Sequence, residues 1–92
     1  RLIAIIISAK EHSLSLNGAR QIKTKLNQIK NIEVLGPIDS PLLKIKKNYR
    51  SRLLIKFNNQ TLMQKNIINL LNNLKISSKI KLTVDVDPVN FA

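Results

Sequence analysis

Between Lys44 and Lys56, six of thirteen residues are cationic: Lys44, Lys46, Lys47, Arg50, Arg52 and Lys56, with Tyr49 in their midst. Guanidinium and ammonium groups at that density offer charge and donors to phosphate oxygens, and a tyrosine ring offers a face to an unpaired base. The bland alternative is a solvated loop over a packed tyrosine. The pattern specifies an anion without specifying which one. If all six cations contacted duplex phosphates, the salt slope would be about −5, and affinity would fall about a thousandfold between 50 and 200 mM salt.

Catalytic chemistry finds little material. With only Gly18 and Gly36, neither common glycine-rich phosphate loop can be built. The one histidine, His12, is followed by Ser13, but adjacency in sequence is not the spatial pairing of nucleophile and base. His12 is expected to be exposed near a helix start. Asp85-x-Asp87 places two carboxylates on one strand face, a beginning for a hard-cation site, yet no third oxygen ligand is evident. Ion pairing with the abundant Lys and Arg is the expected role, no metal is assigned, and the chain is not expected to be an enzyme by itself.

The charge extends beyond that segment: 16 Lys+Arg against 5 Asp+Glu leave a net +11 on 92 residues. Ile, Lys and Asn make up 37 residues, the usage of an AT-rich genome, which can accumulate lysines without function. The same drift should enrich Glu, yet only Glu11 and Glu33 occur, so the deficit of acids points to an anionic partner. Cysteine is absent, which excludes disulfides and thiolate metal sites. The longest apolar run, Leu2–Ile7, is far short of the roughly 20 residues of a membrane span, and these residues show no charged n-region followed by an apolar h-region and a cleavage site. The length suits one domain over residues 1–92, with enough apolar residues for a core. Beginning at Arg1, it reads as a segment of a longer protein.

The elements that must position these groups follow from periodicity. Residues 2–8 are β-branched and apolar on both alternating faces, predicting a central strand. Ser13 and Ser15 are N-cap candidates for a helix over roughly 14–30, whose stripe is Leu16, Ala19, Ile22, Leu26 and Ile29. Gly18 lies inside it, at a cost of about 1 kcal/mol relative to Ala. Ile32–Leu35 predicts a short strand closed by Gly36-Pro37, then a loop through Asp39, Ser40 and Pro41 and an irregular stretch from Lys44 to Asn48. Arg50–Phe57 alternates, with Leu53, Ile55 and Phe57 on one face and Arg52, Leu54 and Lys56 on the other. Thr61-x-x-Gln64 has the form of a capping box before a helix over 61–74 carrying Leu62, Met63, Ile67, Leu70, Leu71 and Leu74. Ile80, Leu82, Val84 and Val86 alternate with polar residues in a last strand ended by Pro88.

The order β-α-β-β-α-β predicts an α+β, ferredoxin-like split βαβ domain. Two right-handed crossovers would place both helices on one face of a four-stranded antiparallel sheet and leave the other face open. The aromatic pair that an RNA-recognition motif carries on its central strands is missing from residues 2–8.

Val34-Leu-Gly-Pro37, Pro41, Tyr49-Arg-Ser-Arg-Leu-Leu-Ile-Lys56, and Val84-Asp-Val-Asp-Pro88 with Asn90-Phe91 occur in that order across the chain. As an ordered set they resemble the C-terminal domain of the primosomal protein N′ (PriA) replication-restart helicases of bacteria. The resemblance implies a parent that is an ATP-dependent 3′→5′ DNA helicase (an ATP hydrolase) acting in primosome assembly at abandoned forks. It implies ATP, Mg2+ and Zn2+ in upstream regions, no cofactor in this chain, and a cytoplasmic, nucleoid-associated location. It makes Tyr49, Arg50 and Arg52 the foremost DNA contacts, and Asp85, Asp87 and Pro88 structural.

Partners implied by the resemblance are forked or single-stranded DNA, single-stranded-DNA-binding protein, primosome proteins and the parent's own helicase core. Gln64 falls where some members present polar groups to the acidic tail of single-stranded-DNA-binding protein. Those members often carry an arginine one turn earlier, where this chain has Gln60, and often an aromatic between the two arginines, where it has Ser51. Three readings follow: a DNA-binding accessory domain, a protein-interaction module docking an acidic partner, and a ribosomal or other RNA-binding domain of similar fold.

Overall fold

A computed structural model describes residues 1–45, 48–58 and 61–87, with side chains described except at 39–45 and 61. Six elements follow in chain order: β1 (Leu2–Ala9), α1 (His12–Leu26), β2 (Ile32–Ile45), β3 (Asn48–Phe57), α2 (Thr61–Asn72) and β4 (Ile80–Val86). The strands form one antiparallel sheet in the order β2-β3-β1-β4, as the ferredoxin-like expectation requires.

β1 is central because its odd-numbered residues supply the core. Ile3, Ile5 and Ile7 have no exposed surface and pack with Leu53 and Ile55 of β3 and Ile22 and Leu26 of α1. Each such side chain contributes about 1.5–3 kcal/mol through burial. α2 completes this layer with Ile67 and Leu71, so both helices lie over one face. Gly18 lets α1 approach the sheet: a Cβ there would stand 2.7 Å from Ile80 Cδ1 and 3.4 Å from Ile7 Cγ2.

α1 is shorter than its periodicity suggests. It stops at Leu26, the Asn27 N–H donates to the Lys23 carbonyl and the Gln28 N–H to that of Lys25, and Asn31 takes a left-handed φ of 68°. Ile29 still packs on the core, which is why the apolar period outruns the helix. The N-cap is Glu11, without a side-chain cap bond; Ser13 is exposed and Ser15 lies buried inside the helix, so neither serine caps it. α2 ends at Asn72, where two asparagines weaken helix propensity. Leu62, assigned to its apolar stripe, is 69% exposed, because at 3.6 residues per turn it sits roughly 140° from Ile67 and 180° from Leu71. The Thr61–Gln64 capping box turns on the Thr61 side chain, outside the described side chains.

The largest departure is β2. Gly36-Pro37 does not close it: the strand continues to Ile45, with register irregularities between Leu35 and Ile38 and between Asp39 and Lys44. The reason is its place at the sheet edge, where a proline without an N–H removes no ladder bond. Gly36, at φ 104°, absorbs the extra residues as a bulge, its carbonyl accepting from Lys23 Nζ of α1, and the Gly36–Pro37 peptide is cis. Lys44 and Ile45 pair with Tyr49 and Asn48, so part of the stretch expected to be irregular is an extended hairpin ladder.

Candidate nucleic-acid interface

The alternation of β3 sorts the sequence candidates onto two faces. Ser51, Leu53, Ile55 and Phe57 are buried toward the helices, which turns Arg50, Arg52, Leu54 and Lys56 to the open face. Arg50 and Arg52 are half-buried and Lys56 is exposed. Tyr49 belongs to the helix-side set. Its ring lies 5.6 Å from that of His12, at the start of α1, with the planes tilted by 37°. His12 is therefore half-buried rather than exposed. The structure thus separates the proposed stacking ring from the two arginines. A strand lying on Arg50 and Arg52 does not reach the Tyr49 ring, because one-residue alternation puts them on opposite sides of the sheet.

Register then shows what surrounds the arginines. Across β3, β1 and β4, Arg50 pairs with Ser8 and Ser8 with Lys81. In the next row Arg52 pairs with Ile6 on one side and Ile38 of β2 on the other, and Ile6 with Thr83. Directly opposed residues share a face, so cations and hydroxyls of three strands gather at one end of the open sheet. Moving along, Leu54 pairs with Ala4, and Ala4 with Asp85. Lys56 then stands between Leu2 and Glu33. Acidic side chains thus enter two rows away from the Arg50 end, and Lys56 has one directly opposite. Lys44 is placed in the ladder only, and Lys46 and Lys47 lie outside the described residues.

Beside Arg52 the face is apolar. Leu35 and Ile38 are 42% and 51% exposed, and with Gly36, Arg52 and Leu54 they line a shallow depression of about 200 Å3. Gln64 lies elsewhere, on α2, in a cleft of about 280 Å3 with Arg1, Lys65, Ile68 and Asn69.

The carboxylates divide between structure and surface. Asp87 accepts the Leu2 N–H at 3.0 Å and pairs with Arg1 Nη2 at 2.7 Å, clasping the end of β4 to the start of β1. The Leu2 N–H and then the Arg1 guanidinium hold its carboxyl below the ordinary carboxylate value. Asp85 is exposed. Among the described residues, no three His, Cys, Asp or Glu side chains come together as a metal site. With no cysteine and two glycines, the chain has no residues that fit a thiolate zinc site or a phosphate loop.

Sequence reasoning missed Ser8, Thr83 and Lys81. Nothing local marks Lys81, which reads as one polar position in an alternating strand; only its pairing through β1 brings it to Arg50.

The fold and site define a class: a ferredoxin-like α+β domain with helices on one side of the sheet and cations gathered at one end of its open face. The chain belongs to the primosomal protein N C-terminal domain family, whose model matches residues 1–89. Similar curated proteins include replication restart protein PriA of Rickettsia conorii, Rickettsia felis and Rickettsia prowazekii, each 32% identical over 88 residues. Those matches cover 96% of this chain and 13% of each relative, so the chain spans about an eighth of their length. Among the described residues, no helix is long and apolar enough to cross a membrane.

Proposed function

We propose that the chain is the DNA-binding accessory domain of a bacterial replication-restart helicase, holding branched or single-stranded DNA through the cationic end of its open sheet face. The supporting observation is that Arg50 and Arg52 stand on one face, two residues apart, in rows containing no acidic side chain among the described residues. The domain performs no chemistry: it neutralises phosphates and so positions a helicase core at a fork. ATP hydrolysis, with its Mg2+, and a cysteine zinc site belong to other parts of the parent protein, which acts with primosome proteins in the bacterial cytoplasm.

Arg50 and Arg52 together correspond to a duplex salt slope of about −1.8, or roughly a twelvefold loss of affinity between 50 and 200 mM salt. The test is fluorescence anisotropy of the chain with labelled forked DNA across that range. Arg50→Ala plus Arg52→Ala should reduce the slope by about two. Absence of binding at low salt overturns the reading.

One observation favours a second role: the Gln64 cleft is lined by Arg1, Lys65 and Ile68 as well, a composition suited to an acidic, apolar tail such as that of single-stranded-DNA-binding protein. Arg50 and Arg52 lie off that cleft. Their removal should therefore leave tail binding intact.

A further inference from the structure

We infer that Lys81 of β4 and Ser8 of β1 extend the phosphate site to a row three strands wide, Arg50–Ser8–Lys81, and that this row holds the nucleic-acid backbone without reading its bases. The inference rests on the DNA-binding reading above and specifies its geometry. Strands spaced about 4.8 Å apart put the Arg50 and Lys81 backbones roughly 9.6 Å apart, with the Ser8 hydroxyl between them. The second row, Arg52–Ile6–Thr83, lies about 6.8 Å further along the strands and adds a guanidinium and a hydroxyl. Guanidinium, ammonium and hydroxyl groups are the side chains that bind phosphate oxygens.

Two features select the occupant. The first is sign: these two rows contain no acid among the described residues, whereas the next brings in Asp85 and the one beyond it Glu33. A polyanion is thereby confined to the Ser8 end. The second is the lack of a stacking platform: the described aromatics, Tyr49 and Phe57, are on the helix side of β3. Sequence-tolerant single-strand binding elsewhere draws affinity from base–aromatic stacking, and among the described residues this face carries no aromatic ring to supply it. What remains is backbone contact, steep in salt and indifferent to sequence.

The test uses the 92-residue chain and fluorescein-labelled DNA, comparing a mixed-sequence strand with an oligo-dT strand of equal length between 50 and 200 mM salt. Lys81→Ala should lower the salt slope by about one, as Arg50→Ala does, with an unchanged melting temperature. Asp85→Lys, which places a cation in the acidic row, should steepen the slope by about one. The two DNAs should bind within about twofold of each other. Should Lys81→Ala leave the slope unchanged while Arg50→Ala lowers it, the row is wrong and the DNA-binding reading stands. If Lys65→Ala on α2 lowers it equally, binding is diffuse charge and the row is again wrong. A marked preference between the two DNAs overturns the backbone-only claim. A wild-type chain that binds neither DNA removes the DNA-binding reading itself.

Discussion

Ser15 Oγ of α1 and Ser51 Oγ of β3 lie 3.1 Å apart, both wholly buried, and Ser15 also shares 3.0 Å with the His12 carbonyl. This hydroxyl pair ties the first helix to the strand that carries Arg50 and Arg52, on the face opposite to them. It also explains what residue 51 does. An aromatic side chain at position 51 would point at α1, not at the arginines.

Replacing Ser51 with Phe therefore acts on stability. Overpacking against Ser15 should cost about 1–3 kcal/mol, read as a lower urea midpoint, while Ser51→Ala should cost about 1 kcal/mol because Ser15 keeps its carbonyl partner. A phenylalanine that left stability intact and tightened DNA binding would contradict the face assignment.

Gly36→Ala should destabilise the chain by about 1–3 kcal/mol. Its φ of 104° is a conformation that side chains rarely adopt, and the added Cβ would meet the Arg52 carbonyl oxygen at 2.7 Å. Because that oxygen is backbone, the contact cannot be relieved by a rotamer change. Equilibrium urea unfolding checks it.

Asp87 makes stability depend on acid. An unfolded aspartate titrates near 3.9, and in the fold the Leu2 N–H and Arg1 lower that value. Its contribution is complete above the unfolded pKa and is lost as pH falls through the folded one. The melting temperature of Asp87→Asn should consequently lie below wild type near pH 6 and converge on it near pH 2. Parallel curves for the two proteins would refute the clasp.

Lys56 should matter less to DNA than its position in the basic segment implies. It stands opposite Glu33 and beyond the row containing Asp85. Lys56→Ala should change the salt slope by well under one, against about one for Arg50→Ala.

Tyr49→Ala should leave the salt slope unchanged and lower the melting temperature, since its ring packs on His12. A loss of DNA affinity at unchanged stability would restore Tyr49 to the interface.

Element order and the inward faces of β1, β3 and α1 were legible in the sequence, because alternation and the 3.6-residue period report burial locally. Ile3, Ile5 and Ile7, or Leu53, Ile55 and Phe57, could hardly face anything but a core. Other features depended on neighbours distant in sequence. β2 runs through Gly36-Pro37 because it is an edge strand, and being an edge is a property of the whole sheet. Leu62 is exposed because tertiary packing chose the Ile67–Leu71 face of α2. The same holds for the site. The charge, Arg50 and Arg52 are visible in the chain, but Lys81 meets them only through pairing with β1, and Tyr49 leaves them by a one-residue shift of face. Composition determined the excess of positive charge; strand register decided where on the sheet part of it gathers.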